Sequence, residues 1–255
     1  MGKTPPKISV YINNDIENSG LGNCIEEIFK SIPNQYINTV NINNVQHSDI
    51  NVIEMLNNYK NKYGNMLNVY NFVTDSIPEG YNYMLNKNRS GISLFVRPYV
   101  SKINAETVID MLNQLMSSND IGVVGCKTSS KNSGEVTVEC VNMFDRYGLW
   151  FDKFTYNNTR PVNNGKYNVE AVSDSMFCIK TSNLDRFKGF DINYDNGLYV
   201  EDISLNMLSV GYTNVSIDKG ISEDDIKRSI YSENDYSYFN NKWIDKGSWL
   251  YAYPD

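Results

Sequence analysis

Carboxylates at two places in this sequence are set up for acid–base work. Asp174 falls in the strand-like run Val172-Ser173-Asp174-Ser175-Met176-Phe177-Cys178-Ile179-Lys180, and Glu201-Asp202 open a helical stretch that ends at Gly211. A carboxylate in the first turn of a helix is held in place and kept ionised by the helix dipole, which suits a base that takes a proton from a hydroxyl. The same pair is also what an ordinary helix N-terminus carries, and Asp174 has the plainer alternative of a strand-end turn residue. Arg97, just after the apolar run Ile92 to Val96, offers a planar fork of donors. Tyr147, Trp150, Phe151 and Tyr156 form an aromatic cluster, which is more often core than a stacking platform for a ligand.

Other chemistries are excluded or poorly served. His47 is the only histidine, so hydrolytic triads and zinc sites that need well-placed imidazoles have little to build on. Cys24, Cys126, Cys140 and Cys178 show no paired ligand spacing and read as buried reduced thiols, which suits a reducing compartment. No glycine-rich dinucleotide fingerprint follows the first strand, and no phosphate-loop lysine motif occurs. With 30 Asp plus Glu against 23 Lys plus Arg, the net charge of −7 argues against nucleic acid as a partner. The 41% hydrophobic content is enough for a sizeable core, and no run of about 18 apolar residues exists to cross a membrane. A soluble, cytoplasmic protein is expected. Asparagine, roughly one residue in seven, is read as codon bias rather than chemistry.

These residues must be positioned by alternating strands and helices. Lys7 to Ile12 reads as a first strand; Leu21, Cys24, Ile25, Ile28, Phe29 and Ile32 then recur on one helix face, which Pro33 closes. Residues 37–42 make a second strand, and Val52, Leu56, Tyr59 and Tyr63 stripe a helix stopped at Gly64. Met66 to Val73 and Ile92 to Val96 supply two more strands, and Asn104 caps a helix striped by Val108, Met111, Leu112, Leu115 and Met116 before the core strand 121–125. Beyond 130 the pattern turns antiparallel: Glu135 to Met143, an aromatic loop from Phe144 to Tyr156, and Asn168 to Lys180. Helices start at Asn183 and Glu201, a strand covers 213–217, and Ser222 with Asp225 reads as a capping box opening a last helix. Nothing divides the chain, so a single α/β domain over 1–255 is expected: a central, mostly parallel sheet flanked by helices, with a small antiparallel part in the C-terminal half.

The 45-residue stretch from Ala171 to Val215 resembles the C-terminal signature of family 2 type glycosyltransferases with the GT-A fold. It has the strand 172–180 ending in a basic residue, the turn Lys188-Gly189-Phe190-Asp191, the pair Glu201-Asp202, and Gly211-Tyr212 closing the helix. The N-terminal half is similar to the same family. Ile8 to Asn14 matches its first nucleotide-binding strand, Gly80-Tyr81-Asn82-Tyr83-Met84-Leu85-Asn86 its segment before the fourth strand, and Gly91 to Val96 the strand leading to the donor site.

The resemblance implies an inverting transferase that moves a hexose-type sugar from a nucleotide donor, with a UDP-sugar expected, to a glycan or other hydroxyl acceptor. Residues 1–127 would form the nucleotide-binding half and 128–255 the acceptor-binding half. It implies Asp202 as catalytic base, with Glu201, Asp174 and Trp150 at acceptor or donor sugar, and Tyr11, Asn13, Asn43, Gly80, Asn86, Arg97 and Lys219 at the nucleotide. Asn43 or Asn44 stands where the family carries an acidic base-binding residue. The family's DxD-type motif, which holds a divalent cation such as Mn²⁺ or Mg²⁺, reads Arg97-Pro98-Tyr99 here, with Tyr99 in place of an expected carboxylate. Either Arg97 substitutes for the metal, or the domain binds a nucleotide sugar or glycan without turnover. The C-terminal Tyr236, Tyr238, Trp243, Trp249, Tyr251 and Tyr253 are open to three roles: capping the acceptor cleft, packing on the body, or forming a homodimer surface.

Overall fold

The computed structural model describes residues 7–15, 20–45, 49–134, 136–138, 140–145, 148–154, 166–224 and 232–245, with backbone only for 136–154 and for 244–245. His47, Tyr147, Tyr156, Trp249, Tyr251 and Tyr253 lie outside the described residues, as does the side chain of Trp150.

The N-terminal half follows its hydrophobic periods. Strand β1 (Ile8–Asn14), helix α1 (Leu21–Ser31), β2 (Ile37–Asn44), α2 (Ile50–Tyr63), β3 (Leu67–Tyr70), α3 (Ile77–Lys87) and β4 (Ile92–Val96) alternate. Gly64 ends α2 at φ 57°, a left-handed conformation that glycine adopts without a Cβ clash. Strand β5 (Val100–Ile103), α4 (Ala105–Ser117) and β6 (Ile121–Ser130) follow. Asn104 caps α4 by accepting from the Glu106 amide at 3.0 Å, satisfying one of the orphan donors of that first turn.

Further on come β7 (Val136–Val138), β8 (Cys140–Asp145), β9 (Gly148–Phe154), β10 (Lys166–Val169), β11 (Met176–Lys180), α5 (Thr181–Arg186), α6 (Tyr199–Ser209), β12 (Thr213–Glu223) and α7 (Glu233–Phe239), the last running into a π-helical turn over Asn240–Asp245. Three sequence expectations are corrected. Residues 148–154, expected as aromatic loop, form a strand paired antiparallel with β8. Residues 168–180 are two strands at separate places in the sheet. Ser222 does not cap a helix: β12 continues through it, because Ile221 to Glu223 pair with both β5 and β6.

One sheet runs in the order β10-β12-β6-β11-β4-β1-β2-β3, with β5 on β12 and β7 on β6. β3, β2, β1 and β4 are mutually parallel, and β12 runs parallel to β6; β11 lies antiparallel between β4 and β6, so β6 and β12 share the direction of the first four. One apolar cluster packs α1, α2 and α4 on one face; a second joins Tyr11, Tyr81, Phe95, Phe177, Phe190 and Tyr199 on the other. Cys24, Cys126 and Cys178 are buried free thiols, and burial pushes each thiol pKa up.

The order places a topological switch point between β1 and β4. The chain steps from β1 to β2 and β3 in one direction and returns to the other side of β1 with β4, leaving a crevice at the carboxyl ends where α/β sheets bind ligands.

Candidate functional site

Asp15 follows the last residue of β1 and Arg97 the last residue of β4, so the switch point brings them together. Arg97 Nη2 lies 3.2 Å from Asp15 Oδ2, and the Arg97 side chain is only 6% exposed. The Arg97 main chain is tied on both sides: its amide donates to the Ser175 carbonyl at 2.9 Å and its carbonyl accepts from Val100 at 3.1 Å. The guanidinium carbon sits 5.5 Å from the centre of the Tyr99 ring, within cation–π range. Burial works against the charge, but Asp15 and then the phenols of Tyr99, Tyr199 and Tyr81 outweigh it and hold the Arg97 pKa well above its ordinary value.

Arg97 Nε and Nη1, Tyr81 Oη and Tyr199 Oη are buried without a hydrogen-bond partner among the described residues. The rings of Tyr81 and Tyr199 are 6.1 Å apart, and burial first of all pushes both phenol pKa values up. A buried donor left unmade costs about 1–3 kcal/mol, so several such groups around one guanidinium form a set built to meet an acceptor. Asp174, partly exposed, acts electrostatically on both phenols and so belongs to the same neighbourhood.

Three of the sequence-predicted nucleotide residues also converge. Asn43 Nδ2 donates to Asn13 Oδ1 at 2.9 Å, across paired positions of β1 and β2. A Cβ on Gly80 would stand 2.3 Å from Asn13 Oδ1 and 3.2 Å from Asn43 Nδ2, so the first turn of α3 packs against this pair only because residue 80 has no side chain. The amide of Asn43 is committed, however: its oxygen accepts from Phe72 N at 2.9 Å and its nitrogen also donates to Phe72 O at 3.1 Å. It fixes the chain after β3 rather than offering a free edge to a base. Asn14 and Asn44 make the corresponding pair on the opposite face of the sheet, at 3.0 Å.

Other expected ligands lie elsewhere. Tyr11 is core: its ring stacks on Phe95 and its hydroxyl donates to the Asn88 carbonyl at 2.5 Å. Asn86 is exposed in the last turn of α3, away from the crevice; its helix neighbour Asn82 does the structural work, bonding both Phe190 N at 2.9 Å and Phe190 O at 2.7 Å. Lys219 is exposed and held by Glu106 at 2.8 Å and Asp110 at 2.9 Å on α4.

Asp202, expected as the catalytic base, is 2% exposed: Oδ1 receives Trp243 Nε1 at 2.7 Å and Tyr194 Oη at 3.1 Å while Oδ2 receives Asn206 Nδ2 and Lys242 Nζ, each at 3.0 Å. Burial pushes its pKa up against the pull of Lys242. With both oxygens engaged by the C-terminal segment, the carboxylate is an anchor for α6 in this structure. Glu201 beside it is buried as well.

Sequence reasoning missed that C-terminal clamp. Asp235, fully buried in α7, accepts from the amides of Asp195, Asn196 and Gly197 at 2.6, 3.2 and 3.0 Å, bracing the loop that leads into α6. Lys242 joins Asp191 at 2.7 Å to Asp202, and Tyr238 Oη donates to Asp191 at 2.9 Å. It also missed Asp15, whose signal was an acidic residue one position beyond the first strand.

No protein-family model matches the chain, and no curated protein matches it by sequence. Solved structures do match its fold. GalNAc-T7, solved with UDP, GalNAc and Mn²⁺, superposes with a TM-score of 0.77 at 12% identity over 97% of this chain and 50% of its own. A mannosyltransferase from Pyrobaculum calidifontis, solved with GDP-Man and Mn²⁺, gives 0.64 at 13% identity over 88% of this chain and 58% of its own. S. aureus TarS residues 1–349, solved with UDP-GlcNAc, gives 0.64 at 15% identity over 92% and 65%. The chain therefore has the GT-A fold of glycosyltransferases, and it spans between about half and two thirds of the length of those chains.

Two of these structures hold Mn²⁺, and the described residues after β4 of this chain do not fit such an ion. Among the described residues no three His, Cys, Asp or Glu side chains come together to hold a metal. After β4, where the family resemblance implies a metal carboxylate, stand the buried Arg97 and Tyr99. A hard divalent cation needs several oxygen ligands, and a guanidinium supplies only donors and a repelling charge.

Proposed function

We propose that the protein transfers a hexose-type sugar from a nucleoside-diphosphate donor, UDP-linked, to a hydroxyl of a glycan or other acceptor, with inversion at the anomeric carbon. The observation that carries this reading is the buried, charged Arg97 at the β1–β4 switch point of a fold whose solved examples include nucleotide-sugar complexes. The acceptor oxygen forms a bond to the anomeric carbon as the bond to the diphosphate breaks, and its electron pair leaves with the phosphate oxygen. Arg97 stabilises the charge that develops there. Asn13, Asn43 and Gly80 form a rigid wall beside the base.

A single displacement needs one carboxylate to take the acceptor proton. Asp174 is assigned that role, because it is partly exposed beside Tyr81 and Tyr199 whereas both oxygens of Asp202 are engaged. Trp150 remains the proposed acceptor platform.

A second reading, nucleotide-sugar or glycan binding without turnover, is favoured by that same engagement of Asp202. The two are separated by measuring nucleoside diphosphate released from UDP-, GDP- and dTDP-hexoses by the wild type and by Asp174→Asn. The transferase reading expects release by the wild type and a loss of at least about a hundredfold in the variant, which still binds nucleotide. A wild type that binds a donor and releases nothing supports the second reading; equal release by the variant removes Asp174 from the mechanism.

A further inference from the structure

We propose that Arg97, with the phenols of Tyr81 and Tyr199, binds a nucleoside diphosphate directly and does at this site what a divalent cation does in the Mn²⁺-containing structures of the same fold. The inference rests on the donor reading above and names how the diphosphate is held.

The unmade groups of Arg97, Tyr81 and Tyr199 suit the same ligand. Arg97 Nε and Nη1 can only donate, and the hydroxyls of Tyr81 and Tyr199 are free to donate. A diphosphate offers acceptor oxygens only, and a guanidinium fork matches two of them at once. A metal would instead require the opposite lining, a set of acceptors without a fixed positive charge among them.

Placement makes the fork rigid. The Arg97 backbone is fixed by Ser175 on one side and Val100 on the other, and Cys24 Sγ also reaches its carbonyl at 3.6 Å. The ring of Tyr99 covers one flank of the guanidinium. Tyr81 comes from α3 and Tyr199 from the first position of α6, so helices from both halves of the chain bring phenols within electrostatic reach of a residue at β4's carboxyl end. In the free protein Asp15 takes one N–H of the fork, and a phosphate oxygen exchanges with that carboxylate when the nucleotide enters.

Calorimetric titration of the full chain with UDP and with GDP, each in EDTA and in Mn²⁺, tests the proposal. The expected result is binding of one nucleotide with affinity equal within about twofold in the two conditions. Tyr81→Phe and Tyr199→Phe remove no hydrogen bond made among the described residues, so they fold, and each weakens binding by roughly tenfold. Arg97→Lys keeps the charge, loses the fork and weakens it further. Binding that requires Mn²⁺ overturns the inference and leaves the donor reading standing. Binding in EDTA that is unchanged in both phenylalanine variants overturns these residues as the site. Binding of neither nucleotide in either condition overturns the donor reading itself.

Discussion

The indole nitrogen of Trp243 donates to Asp202 Oδ1 at 2.7 Å, joining the π-helical turn at the C-terminal end of the described chain to the first turn of α6. Lys242 and Asn206 complete the shell around the same carboxylate. Trp243→Phe deletes one donor to a buried charge, and Asp202→Asn deletes the charge that Lys242 faces. Each lowers unfolding stability by about 1.5–3 kcal/mol in urea denaturation. Asp202→Asn keeps nucleotide release at a temperature where it is folded; a folded variant without release would return Asp202 to the chemistry.

Lys242 also fixes the sign of an acid dependence. Burial raises the Asp191 pKa, but the bonds from Lys242, Asn193 and Tyr238 outweigh it and hold it below the ordinary carboxylate value. A depressed carboxyl stabilises the fold above its unfolded pKa, and that stability is lost as pH falls through the folded value. Asp202, raised by burial, works in the opposite sense and gains from protonation. Lys242→Met lets both carboxyl pKa values rise, so the stability gap between wild type and variant is widest near neutrality and narrows as pH drops below about 4. Urea unfolding at both pH values reads that gap, and a gap that widens in acid would contradict the assignment.

Asp235 braces the approach to α6 through three amides of residues 195–197. Asp235→Ala leaves them without their acceptor, with an expected loss of about 2–4 kcal/mol. Amide hydrogen exchange checks the location: protection falls at 195–197 and in the first turn of α6 while β1 and β4 stay protected.

Gly80 and Gly91 form a matched pair for substitution. At Gly80 an added Cβ meets Asn13 and Asn43, whereas at Gly91 it meets nothing within 4 Å. Gly80→Ala is expected to cost about 1–3 kcal/mol and to weaken nucleotide binding. Gly91→Ala stays within about 0.5 kcal/mol of the wild type, and thermal melts of both variants check the difference.

The sequence made local signals legible and left tertiary ones hidden. Asn104 and Gly64 were readable because a cap and a left-handed stop depend on a few adjacent residues. Arg97 was readable through the family resemblance, which sets it at the position of the metal-binding motif. Asn86 and Asn82 share α3, and nothing local tells which of them bonds Phe190, 108 residues away from Asn82. Tyr11 looked like a ligand until the sheet's alternation and Phe95 placed it in the core. The burial of Asp202 depends on Lys242 and Trp243, about forty residues further on. The asparagine excess, read as codon bias, includes ladder pairs such as Asn13–Asn43 and Asn14–Asn44 that satisfy one another inside the sheet.

The account turns on where the diphosphate sits, and a crystal structure of the full chain with its tightest-binding nucleotide sugar shows that directly. The predicted result is a diphosphate against Arg97, Tyr81 and Tyr199, with the Asp15 pair opened. A diphosphate found instead in the groove of about 620 Å³ at the opposite end of the sheet, lined by Lys7, Arg89 and Lys180, would contradict it.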